Sequence, residues 1–160
     1  MKKTETYLII VILVSYVAHI LNIQMGSEVF GLSTFGLGSF YLIFGLVFFN
    51  NIPLKGVFKK SSYVDISFGK KVGSIGLGFG LSIAIYGSLF MLLKLPGGLE
   101  LIIISTTTLF SAIPVLLFKL ISKEQDKSTF YTKILFRIIP ILLLSTYLIY
   151  TVWISKDIVI

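Results

Sequence analysis

One histidine, His19, and one arginine, Arg137, lie inside long apolar stretches of a 160-residue chain that contains no cysteine. The absence of thiols excludes disulfides, thiolate metal sites and cysteine nucleophiles. A lone imidazole excludes a histidine-cluster metal centre within one chain, and Ser-His-Asp chemistry would have to be built on His19 alone. No nucleophile stands beside a base and no carboxylates cluster. The pattern therefore assigns no catalytic residue, no metal and no cofactor, and it speaks against an enzyme. What remains is polar chemistry embedded in apolar segments, where an ionisable group is costly and is by default a candidate for a proton relay or a ligand contact.

Ser15, His19 and Asn22 are spaced by four and three residues, which places them on one face of a helix. His19 has no acid at its depth, because Glu5, Glu28, Asp65, Glu100, Glu124, Asp126 and Asp157 all fall at segment ends or in loops. A neutral imidazole hydrogen-bonded to a nearby Ser, Thr or Asn is therefore preferred to a relay. Farther along, Ser105, Thr106, Thr107, Thr108 and Ser111 precede Pro114. Hydroxyls satisfy carbonyls that a proline frees, so a kinked helix accounts for this run without a substrate. Thr106, Thr107 and Arg137 are retained as intramembrane candidates because broken helices form substrate sites in transporters and Pro140 lies close to Arg137. The simpler reading of Arg137 is a side chain that snorkels to the interface. Gly73, Gly76, Gly78 and Gly80 lack the preceding strand and the Lys-Ser/Thr ending of a phosphate-binding loop.

The elements that must position these groups are membrane helices. Hydrophobic residues make up 56% of the chain and charged residues 13%, against roughly 45–50% and about 25% in soluble domains. A soluble exterior must be polar, whereas lipid solvates an exterior of Leu, Ile, Val and Phe. At about 1.5 Å of rise per residue, a hydrocarbon layer of about 30 Å needs about 20 apolar residues. Five stretches qualify, at residues 7–23, 29–49, 72–93, 99–118 and 134–154. The expected fold is all-α: one polytopic bundle over residues 1–160, with about five transmembrane helices. Lys2 and Lys3 ahead of the first stretch resemble a secretory signal, but no small-x-small cleavage site follows, so a retained helix is expected.

Positive charge collects on the cytoplasmic side. With the amino terminus inside, twelve of the fourteen basic residues face the cytoplasm and only Lys94 and Lys156 lie outside. The carboxyl terminus then lies outside, with Tyr147, Tyr150 and Trp153 at the outer interface. This distribution at segment ends marks orientation, not a nucleic-acid surface, despite the net charge of +7. Abundant Lys and Ile with only three Ala suit an AT-rich bacterial genome, which places the chain in a bacterial cytoplasmic (inner) membrane.

Lys94-Leu95-Pro96-Gly97-Gly98 is so short that it must join adjacent antiparallel helices. In the third stretch Gly76, Gly80, Ala84 and Ser88 recur every fourth residue, a small-residue stripe that lets another helix approach. In the second, Gly31, Thr34, Gly38, Tyr41 and Gly45 share a face. These stripes pack either a compact bundle or a homo-oligomer. The loop from Asn50 to Lys71 is basic and aromatic, and is either an ordinary cytoplasmic connection or a segment lying on anionic headgroups. The connection from Ser122 to Lys133 reads as a solvated connector.

The run Gly87-Ser88-Leu89-Phe90-Met91-Leu92-Leu93-Lys94-Leu95-Pro96-Gly97 and the apolar stretch after it, within residues 72–118, resemble the transmembrane hairpin of the GldL family. That family supplies the membrane subunits of the Bacteroidetes gliding and type IX secretion motor, which act as oligomers with a partner called GldM. The resemblance implies a membrane subunit with an oligomeric partner. The family's second hairpin helix carries a buried glutamate tied to proton coupling, whereas Thr106 to Ala112 contains no acid. The resulting expectation is a non-enzymatic structural or accessory subunit of a membrane complex, surrounded by lipid and by copies of itself or another subunit. The alternative is a small transporter or channel, which requires His19, the hydroxyl run, Pro114, Pro140 and Arg137 to converge on one cavity.

Overall fold

The computed structural model describes residues 2–121 and 128–157, and among these it contains five α-helices and no strand. They are α1 (Lys2–Ile20), α2 (Gly26–Phe49), α3 (Phe68–Leu92), α4 (Gly98–Ile121) and α5 (Ser128–Asp157). All five are long and apolar enough to cross a membrane, so the chain is a multi-pass membrane protein. Most of the exposed surface of α1, α4 and α5 is Leu, Ile, Val and Phe, a composition that only lipid solvates at low cost.

Three helices stop by the same local device. Asn22, Asn51 and Lys94 each adopt a left-handed backbone, with φ of 52°, 55° and 55°. The next residue's amide reaches back five positions, from Ile23 to Ala18, Ile52 to Val47 and Leu95 to Phe90, at 2.7–2.9 Å. This is the Schellman arrangement, and the apolar side chain at the second position past the cap seals it. Asn tolerates the left-handed region better than most residues, which explains two of the three stops. After Lys94, Pro96 and then Gly97 at φ 84° turn the chain directly into α4.

Glycines set the packing. A Cβ on Gly45 would lie 2.9 Å from the Gly78 Cα, and one on Gly78 would lie 2.7 Å from the Tyr41 carbonyl oxygen, so α2 and α3 meet backbone to backbone. Gly87 faces the Ile102 amide of α4, Gly80 faces Leu109, and Gly26 of α2 meets the Ala18 and His19 backbone of α1. Helix α3 is thereby central, packed on α2 and α4 and touching α5. Its Leu81 and Ala84 are fully buried with Ile102, Leu109, Ile134 and Ile138.

Two departures from the sequence expectations bear on the site. Helix α1 begins at Lys2 and not near Tyr7, because Lys2, Lys3 and Glu5 continue the helix although they are too polar for the apolar core. Asn22, expected on the face of Ser15 and His19, is beyond the end of α1 at the left-handed turn position. In the small-residue stripes, Gly38, Gly45, Gly80 and Ala84 are buried, whereas Gly76 has no atom within 4 Å of the place a Cβ would take. Of the connection from 122 to 133, residues 122–127 lie outside the described residues, and the remainder is the start of α5.

Candidate functional site

Glu5 sits in the first turn of α1, where the helix dipole favours a negative charge. Its carboxylate is buried and held from both sides. Arg137 of α5 donates from Nε to Glu5 Oε1 at 2.8 Å and from Nη2 to Oε2 at 3.1 Å. Tyr41 of α2 donates its hydroxyl to the same Oε1. The third guanidinium nitrogen, Nη1, donates to the Lys133 carbonyl at 2.9 Å, and the guanidinium carbon Cζ lies over the Phe48 ring, 4.6 Å from its centre. Every nitrogen of Arg137 is thus engaged, and the pair is bidentate, the strongest arrangement open to Arg and a carboxylate.

These residues are 132 positions apart in sequence, and their meeting ties the first helix to the last. Helix α1 otherwise packs along α2. Between α1 and α5, floored by α2 and α3, lies a cavity of about 840 Å³. Its inner end is formed by Glu5, Tyr41, Lys133 and Arg137, and its walls by apolar residues that include Ile12, Leu37, Ile85 and Leu89. Exposed Leu13 and Phe136 form part of the rim, so the opening faces lipid. A second cavity of about 460 Å³ lies beside the start of the α2–α3 connection and includes Lys55. The two share Lys133 and Arg137.

The groups singled out by sequence do not gather here, apart from Arg137 and its neighbour Pro140. His19 Nδ1 is 2.7 Å from the Ser27 hydroxyl, and its ring stacks beside Phe30. Ser15 is buried and donates to the Val11 carbonyl at 2.7 Å. Thr107 and Thr108 are on an exposed face of α4 and donate to Ile103 and Ile104 of their own helix. The Thr106 hydroxyl is buried without a hydrogen-bond partner. The convergence a transporter built on these groups would need is absent.

Glu5 is the residue that sequence reasoning missed. The sequence places Glu5 among segment-end acids and offers Arg137 both as an intramembrane candidate and as a snorkelling side chain; the structure pairs the two. The signal was present in the spacing. Steps of three, four, three and four from Glu5 through Leu8, Ile12 and Ser15 to His19 trace one helix face, and the structure turns Glu5 and Ser15 on that face inward. No family model, no curated protein and no solved structure matches this chain.

Proposed function

We propose that this protein is a non-enzymatic accessory subunit of a bacterial inner-membrane assembly, oriented with its amino terminus in the cytoplasm. The observation that carries this reading is the exposed face at the start of α3. There Gly73 and Gly76 have no atom within 4 Å of a Cβ position, while Val72, Ile75 and Phe79 are about half exposed around them. Glycine costs a helix about 1 kcal/mol relative to Ala. At Gly26, Gly45, Gly78 and Gly87 that cost is offset by a close backbone contact within the chain. At Gly73 and Gly76 no internal contact offsets it, and a helix docking from outside would. A GldL-type origin for the α3–α4 hairpin belongs to the same proposal, without a proton-coupled role for α4, which has no acid between Thr106 and Ala112.

A chain without cysteine makes the test direct. Gly73→Cys and Gly76→Cys in native membranes should crosslink to a second copy or to one defined partner, whereas Val14→Cys and Ile104→Cys, on exposed faces of α1 and α4, should not. Gly76→Leu should dissociate the assembly while leaving the melting temperature of the isolated chain unchanged or higher. A chain that sediments as a monomer from mild detergent and yields no product at either glycine contradicts the reading.

A further inference from the structure

The cavity between α1 and α5 carries two observations that the subunit reading does not use. The first is a pair of orphaned hydroxyls. Ser15, Ser33, Ser105, Thr107, Thr108, Ser111 and Thr146 all donate to a carbonyl of their own helix, the usual resort of a hydroxyl in an apolar setting. Among the described residues five buried hydroxyls have no partner, and two of them, Thr34 and Ser88, each 6% exposed, line the cavity, whereas Ser82, Thr106 and Ser145 do not. An unpaired buried hydroxyl is destabilising, and these two stand at a cavity from which a bound molecule would supply the missing partner. The second observation is charge. Among the described residues the cavity lining carries two basic residues, Lys133 and Arg137, and one acid, Glu5. Arg137 is consumed by Glu5 and by a backbone carbonyl, and the Lys133 ammonium, which has no partner among the described residues, is left to receive an anion.

We infer that the cavity binds one single-chain amphiphile, a long-chain carboxylate with a hydrogen-bonding oxygen part-way along its chain. The carboxylate lies against Lys133, balancing the one net positive charge, and the chain runs over Leu37, Ile85 and Leu89 towards Thr34 and Ser88. Volume and spacing agree. Sites for small molecules occupy roughly 300–1,000 Å³, and the cavity measures about 840 Å³. Tyr41, at the charged end, and Thr34 are seven residues apart on α2, about 10 Å of helix rise. An extended chain covers about 1.2 Å per bond, so the carbon bearing the oxygen belongs about eight or nine bonds from the carboxyl carbon. The opening between exposed Leu13 and Phe136 lets such a molecule enter sideways from the bilayer, where it already resides.

The test uses the full chain in a non-ionic detergent and three probes followed by native mass spectrometry. They are stearate with a hydroxyl on its tenth carbon, stearate itself, and stearyl alcohol. The expected order of affinity is hydroxystearate, then stearate, then the alcohol. Lys133→Gln should weaken both carboxylates about fivefold, the contribution of one lysine, and leave the alcohol unchanged. The double variant Thr34→Val with Ser88→Ala should bring hydroxystearate to the level of stearate, a loss of about fivefold. Ile141→Trp, which fills the cavity, should abolish retention of all three. Circular dichroism and melting identify any variant that misfolds, and the wild-type ranking then decides alone. Stearyl alcohol held as tightly as stearate, hydroxystearate no tighter than stearate, or retention indifferent to Ile141→Trp in a folded variant overturns the proposal.

Discussion

Arg137 engages all three of its nitrogens, so its removal and that of its partner have effects that do not add. Glu5→Gln leaves a guanidinium in a half-buried site without its counter-charge, and Arg137→Gln leaves a buried carboxylate with only the Tyr41 hydroxyl. Each single change should destabilise the protein by about 3 kcal/mol, the scale for breaking a buried pair from one side. The double variant Glu5→Gln with Arg137→Gln should recover more than half of that, because two neutral amides leave no orphan charge. Reversible unfolding in mixed detergent micelles measures all three, and equal, additive losses contradict a coupled pair. His19 is a different case. Its contact is to a neutral hydroxyl at 2.7 Å, so His19→Gln, which keeps a polar atom in reach of Ser27, should change stability by less than about 1 kcal/mol. A large loss on the same unfolding curve contradicts the assignment of His19 as a structural contact.

At the scale of the helices, glycine placement divides into two classes with opposite predicted signs. Gly45→Ala and Gly78→Ala drive a methyl into backbone at 2.9 Å and 2.7 Å. Backbone cannot rotate aside as a side chain can, so each should cost about 1–3 kcal/mol by forcing α2 and α3 apart. Gly73→Ala has open space and should stabilise the isolated chain by up to about 1 kcal/mol through helix propensity alone. Melting of the four proteins side by side distinguishes these signs, and a destabilising Gly73→Ala contradicts the open face. Sequence periodicity selects Gly38 and Gly45, by three- and four-residue steps along one face of α2, and Gly80 and Ala84, by a fourfold repeat in α3, as packing positions, because a stripe of small residues lets another helix approach in lipid. It did not select Gly78 or Gly87, which sit off that repeat, nor separate Gly76, which sits on it and is open. A stripe reports which face is small, and only the neighbouring helix decides which part of the stripe is covered. Likewise the apolar lengths locate all five helices, whereas α1 reaches back to Lys2, ahead of its apolar stretch, since hydropathy marks where oil begins and not where hydrogen bonding begins. That difference hid Glu5, and with it the site.

Over the whole molecule, an ion pair at one end of a cavity joins the first helix to the last, while glycine contacts join α1 to α2, α2 to α3 and α3 to α4. The five helices are each long and apolar enough to cross the bilayer, and the proposed topology, with every one of them crossing, puts the two ends of the chain on opposite sides. With no native cysteine to remove, single cysteines near the amino terminus, in the turn at Asn22–Met25, in the connection at 50–67, at Leu95, within 122–127 and near the carboxyl terminus can each be challenged in sealed vesicles with a membrane-impermeant thiol reagent. The account predicts strict alternation along the chain, with the amino terminus, the 50–67 connection and residues 122–127 on one side and the other three positions on the opposite side. Labelling of both chain ends from the same side, or any two successive connections sharing a side, contradicts it.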